Sequence, residues 1–91
     1  MPPFINAVIN GDAEKAQELL AAGASINQQI ALNGNTPLHL AVWNGRATMA
    51  RLLLAQPGID VQIRNDFGKT ALDIAREKNN GEIINILEPR R

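Results

Sequence analysis

His39 is the only histidine of this chain, Ser25 its only serine, and there is no cysteine. A nucleophilic serine needs an activating base and donors for the oxyanion. The stretch Gly23-Ala24-Ser25-Ile26-Asn27 supplies neither in any familiar motif. A lone histidine without cysteines does not make the ligand set of a zinc site. The aspartates, Asp12, Asp60, Asp66 and Asp73, are scattered. Asp60 and Asp66 share one connector but lack calcium-loop spacing. Asn-Gly occurs at residues 10, 33, 44 and 80. The first three suit turns that need positive φ, and the fourth suits a helix start. No glycine pattern cradles a phosphate. The expectation is a protein that is not an enzyme and uses no cofactor and no metal. An enzyme is kept as the remote alternative.

The composition narrows the partners. Net charge is zero over 91 residues, with nine basic and nine acidic side chains. No sequence-wide field then draws in nucleic acid or an anionic surface. The single basic run, Arg90-Arg91, reads as a solvated tail. No apolar stretch approaches the roughly 18 residues of a membrane span. Met1-Pro2-Pro3-Phe4 shows no signal peptide, so the expected location is cytoplasmic, with a processed exported form left open. A chain this short buries only about 60–65% of its unfolded surface, and no disulfide can assist.

What must position any site is a repeat. Asn35-Thr36-Pro37-Leu38-His39-Leu40-Ala41 returns 34 residues later as Lys69-Thr70-Ala71-Leu72-Asp73-Ile74-Ala75. Gly11 returns as Gly45, Gly34 as Gly68, and Leu19-Leu20 as Leu53-Leu54, all with the same offset. A fixed period of this length predicts a stack of small helical units, and such stacks bind along an extended face. In the middle unit Thr36 suits an N-cap and Pro37 the first helical position. Leu38, Ala41 and Val42 form one apolar stripe. Asn44-Gly45 ends that helix. A second helix is expected from about Ala47 to Ala55, striped by Met49, Leu52 and Leu53, and stopped by Pro57-Gly58.

The outer units copy this plan with more polar surfaces. The first has a short helix through Phe4, Ile5, Ala7, Val8 and Ile9, then a helix from Ala13 to Ala22 capped by Asp12. The third is capped by Thr70, packs through Leu72, Ile74 and Ala75, and closes with Ile83, Ile84, Ile86 and Leu87. Its outer positions Glu77, Lys78, Asn79, Asn80, Glu82, Asn85 and Glu88 read as a wet terminal cap. The connectors Ala24–Gly34 and Ile59–Gly68 are expected to be β-turn or short hairpin loops that project to one side. The expected fold is an all-α solenoid forming one domain over 1–91, with unit boundaries at 1–29, 30–64 and 65–91.

These residues resemble the ankyrin repeat. The resemblance is carried by Gly34-Asn35-Thr36-Pro37-Leu38-His39-Leu40-Ala41, Gly45, Leu53-Leu54 and Gly58-Ile59-Asp60-Val61 in the middle unit. Gly11, Leu19-Leu20 and Gly23-Ala24-Ser25-Ile26-Asn27 carry it in the first, and Gly68 to Ala75 in the third. The aspartate that usually opens a repeat is Ala31 in the middle unit and Asn65 in the third, and each period is one residue longer than the usual 33. The resemblance implies an ankyrin-repeat solenoid of helix-turn-helix units and a protein-binding module. It implies that the His39 ring ties Thr36 to loop backbone, and that Asp73 takes the same slot in the third unit.

The resemblance also places a face. Ile9-Asn10, Trp43-Asn44 and Glu77-Lys78 recur at the 34-residue offset. Neighbouring helices lie about 8–10 Å apart, so these pairs form a row. In ankyrin repeats that row faces the partner. The loop tips add Leu32, Asn33 and Asn35, then Arg64, Asp66, Phe67 and Lys69. Trp43 has two readings, a partner contact or a cover for the neighbouring helix. The expected partner is another protein, bound by a monomer. A stoichiometric inhibitor or immunity-type protein is the leading reading, and a trimmed fragment of a larger scaffold the alternative.

Overall fold

The computed structural model describes residues 3–88, so Met1-Pro2 and the Pro89-Arg90-Arg91 tail lie outside the described residues. Six helices are described: α1 Pro3–Asn10, α2 Ala13–Ala21, α3 Pro37–Trp43, α4 Ala47–Leu54, α5 Ala71–Glu77 and α6 Gly81–Leu87. Each odd-numbered helix pairs with the next in sequence, giving three antiparallel hairpins. α1, α3 and α5 pack side by side in one row, and α2, α4 and α6 in a second. The fold is an all-α repeat solenoid.

Local chemistry sets the helix starts. The Thr36 hydroxyl accepts from the His39 N–H at 3.3 Å, and Thr70 does the same for the Asp73 N–H at 3.2 Å. Pro37 follows its cap at the first helical position, where no N–H is needed. Asp12 and Asn80 cap α2 and α6 by accepting from Lys15 and Ile83. α4 starts after a residue, Arg46, whose side chain makes no cap bond.

The turns between paired helices need a left-handed residue. Gly45 supplies it in the middle unit at φ 68°, but the third unit has Asn79 there, at φ 54°. Asparagine tolerates this region better than other side chains with a Cβ, though less well than glycine. Asn79→Ala is therefore expected to lower stability by about 1 kcal/mol, whereas Asn79→Gly leaves it unchanged or slightly raised. Urea unfolding midpoints of the three proteins check this.

One core runs the length of the stack. Phe4, Ile5 and Val8 of α1 continue into Leu38, Ala41 and Val42 of α3 and then into Ala71, Ile74 and Ala75 of α5. Ala16, Met49, Ala50, Leu53 and Ile83 contribute from the second row. Burying each Leu, Ile, Val or Met side chain is worth about 1.5–3 kcal/mol, which outweighs the weak helical propensity of seven- to nine-residue helices.

The connectors take the β-turn form, without strand pairing among the described residues. Side chains lace the first to the second. Asn27 donates to the Gly58 carbonyl and accepts from the Asp60 N–H, at 2.8 and 2.9 Å. Gln29 donates to its own loop at Gly34 and across to the Arg64 carbonyl. The Asp66 N–H donates to the Asn33 carbonyl at 2.9 Å. There the Asp66 carboxylate lies against Gly34 so closely that a Cβ would sit 2.5 Å from its oxygen.

Candidate functional site

Where α3 meets α5, the two helices and their preceding loops enclose a groove of about 470 Å³. Its deep part is Leu40 and Ile74, both buried and 34 residues apart. Trp43 and Glu77 stand one turn further along the same helices. Asn33, Asn35, Asn65, Phe67 and Lys69 close it on the loop side.

The loop side is rigid because its polar groups are used. Asn65 accepts from the Phe67 and Lys69 N–H groups at 2.9 and 3.1 Å, folding the third loop around one carboxamide. Its amide nitrogen donates to the Asn35 side chain at 2.9 Å. An aspartate could accept the first two bonds but not donate the third. That is a physical reason for asparagine where the ankyrin pattern has aspartate. The middle unit, with Ala31 in this slot, uses Asn33 instead, whose side chain accepts from the Asn35 N–H.

His39 fixes the spacing between the two units. Its Nδ1 accepts from the Thr36 N–H at 3.1 Å and sits 2.7 Å from the Thr36 hydroxyl. The proton is therefore on Nε2, which donates to the Lys69 carbonyl at 2.8 Å, 30 residues away. The ring is buried, and it ties Thr36 to loop backbone as the resemblance implied. Asp73 takes the corresponding place in the third unit, accepting from the Thr70 N–H at 3.0 Å. That bond holds the Asp73 carboxyl below its usual value.

Burial lowers the His39 pKa from 6.5, against smaller upward pulls from the Lys69 carbonyl and Asp73. The folded state then binds this proton less readily than the unfolded chain does. Stability contributed here is fully present above about pH 6.5 and falls as pH drops from 6.5 to the folded pKa. Proton NMR of the single imidazole is expected to give a midpoint below 6.5, with denaturant stability lower at pH 5.5 than at pH 7.5. A midpoint at or above 6.5 would contradict the buried neutral ring.

Exposure separates the residues that sequence singled out. Leu32 is 85% exposed, Phe67 73% and Trp43 54%. Trp43 thus keeps half of its surface open while the Lys78 ammonium lies 4.2 Å from its ring centroid. Glu77 forms an ion pair with Lys69 inside the groove. Six of the expected residues line this one groove: Asn33, Asn35, Trp43, Phe67, Lys69 and Glu77.

The others do not line it. Leu32 stands on the loop tip beside the Asn33–Asp66 bond, and Asn44 caps α3, donating to the Leu40 carbonyl. Arg64 donates to the Gly68 carbonyl at 2.7 Å and approaches Asp73 at 3.9 Å. Ile9 is half-buried in the first unit, its carbonyl accepting from Arg46, and Asn10 ends α1. Neither lines the groove. Leu40, Asn65 and Ile74 were not singled out as contact residues, although the 34-residue offset between Leu40 and Ile74 is visible in the sequence.

Among the described residues no cluster of side chains suits a metal ion, and no helix is long and apolar enough to cross a membrane. The groove is an apolar slot floored by Leu40 and Ile74, with a polar rim.

A family model described as ankyrin repeats in three copies matches residues 3–89. The chain is 39% identical over 85 residues to the I-kappa-B-like protein I1 of Microplitis demolitor bracovirus (isolate Webb), across 93% of this chain and 51% of that protein. It is 41% identical over 93 residues to alpha-latrotoxin-Lg1a of Latrodectus geometricus, across 97% of this chain and 6% of the toxin. It is 48% identical over 59 residues to a putative ankyrin repeat protein of Fowlpox virus (strain NVSL), across 65% of this chain and 14% of that one. The chain therefore spans about half, or much less, of these relatives. With its three hairpins, its Thr-Pro-Leu-His cap and a match running over nearly all of its residues, the chain belongs to the ankyrin repeat family.

Proposed function

We propose that this protein is a non-catalytic interaction module whose partner, another protein, docks in the groove between α3 and α5. One observation carries the reading: the half-open Trp43 ring lies in a preformed slot floored by Leu40 and Ile74, with exposed Phe67 on its rim. Hot spots are enriched in tryptophan and cluster in well-packed pockets, and a wall held by hydrogen bonds lowers the ordering cost of binding. Leu32, Asn33, Asn35, Arg64, Asp66, Phe67 and Lys69 form the loop-tip part of the contact. Trp43, Asn44, Glu77 and Lys78 form the helical part, and Ile9 and Asn10 extend the row.

The unit is a single ankyrin domain of three repeats, 1–29, 30–64 and 65–91, acting as a monomer in the cytoplasm. The likeness to I-kappa-B-like proteins supports an inhibitor-type role, in which holding the partner is itself the activity. Affinity capture with wild type, Trp43→Ala and the second-row variant Arg51→Ala tests the site. A partner kept by wild type and Arg51→Ala but lost by Trp43→Ala supports the groove. Loss with Arg51→Ala alone would move the site to the second row.

A further inference from the structure

The charges around this groove are unevenly satisfied. Lys69 and Glu77 line it and neutralise each other as an ion pair. Arg64 is shared between the Gly68 carbonyl and Asp73, and Arg76 is paired with Glu88 at 3.0 Å. Lys78 takes part in none of the ion pairs among the described residues; its ammonium rests on the Trp43 ring instead. A ring contact at an exposed site is worth only about 0.5–1 kcal/mol and leaves the ammonium's other hydrogens free for an acceptor.

Position gives this charge a direction. Lys78 is the C-cap of α5, while Asp66 precedes that helix at the loop tip. Seven helical residues rising about 1.5 Å each set the two ends of α5 roughly 10 Å apart. Asp66 thus flanks the groove beside Phe67 on the loop side, and beyond Ile74, Leu40 and Trp43 stands Lys78, a cation with no carboxylate partner among the described residues. At about 3.3 Å per residue, three or four extended residues span the length of α5.

We propose that the groove selects an acidic-apolar segment of a protein partner, an apolar side chain entering between Leu40, Ile74 and Trp43 and a neighbouring carboxylate meeting Lys78. This rests on the groove being the docking site and adds the chemistry of what docks. The carboxylate is accepted at the Trp43 end only, because Asp66 repels it at the loop end.

Selection from a random displayed peptide library tests the proposal, with the 91-residue protein as bait. Wild type is expected to enrich Asp or Glu within one or two residues of Leu, Ile or Phe. Lys78→Glu is expected to reverse the preference to Lys or Arg, with relative affinities for an acidic peptide and its lysine counterpart shifting about fivefold or more. Lys78→Met, which keeps an unbranched cover on the ring, is expected to abolish the charge preference without reversing it. Circular dichroism checks that both variants fold. Peptides that depend on Trp43 but keep their charge preference in Lys78→Glu would overturn the proposal while leaving the groove as docking site. Enrichment unaffected by Trp43→Ala, or no enrichment, would overturn both for short segments.

Discussion

His39→Ala is expected to remove about 2–4 kcal/mol of stability. A 91-residue domain carries a total on the order of 5–14 kcal/mol, so this loss is a large share. The cause is not one bond. The Thr36 N–H and hydroxyl lose their acceptor, and the Lys69 carbonyl loses its donor, all at a buried junction. Buried groups left without partners cost about 1–3 kcal/mol in themselves. The lost ring also leaves a void between two units that the backbone has little freedom to close. Guanidinium unfolding of both proteins measures the difference. A change under about 1 kcal/mol would mean that the loop hydrogen bonds of Asn27, Gln29 and Asn65 hold the units together without the imidazole.

Trp43→Ala is expected to leave the fold intact and weaken partner binding by about 2 kcal/mol or more, roughly thirtyfold in Kd. The two effects separate because the ring is half open. Its removal takes away only part of a packed surface and the Lys78 contact, about 1 kcal/mol of stability. In the proposed complex the open half is expected to become buried between Leu40, Ile74 and the partner. Phe67→Ser is expected to weaken binding less, since Phe67 sits at the rim, 73% exposed. Calorimetric titration of the captured partner with each variant measures both, and thermal melts confirm folding. Equal affinity for wild type and Trp43→Ala would make the ring a cover for Lys78 and nothing more.

Much of the fold was legible because its signals are local. Thr36-Pro37 marks a helix start through one hydroxyl and one missing N–H, and Gly45 marks a turn through its φ. The 34-residue offset then multiplies each signal. The bounds expected for α2 and α4 held to within one residue; Ala22 and Ala55 are caps after these helices, not helical residues. The groove was legible in part. Trp43, Phe67 and Glu77 could be named from residue type and row position. Leu40 and Ile74 were hidden because an apolar residue on a core stripe gives no sign that it also lines an opening. Asn65 was noticed only as a departure from the repeat pattern, since its donation to Asn35 joins side chains 30 residues apart. The contact between Lys78 and Trp43 depends on side-chain conformation across two helices, which spacing alone does not specify.

Backbone hydrogen exchange of the chain, free and bound to its captured partner, tests the account most directly. The account predicts slowed exchange in residues 33–44 and 65–78, with α2 and α4 unchanged. Protection concentrated in residues 13–21 and 47–54 would place the partner on the second row and contradict it.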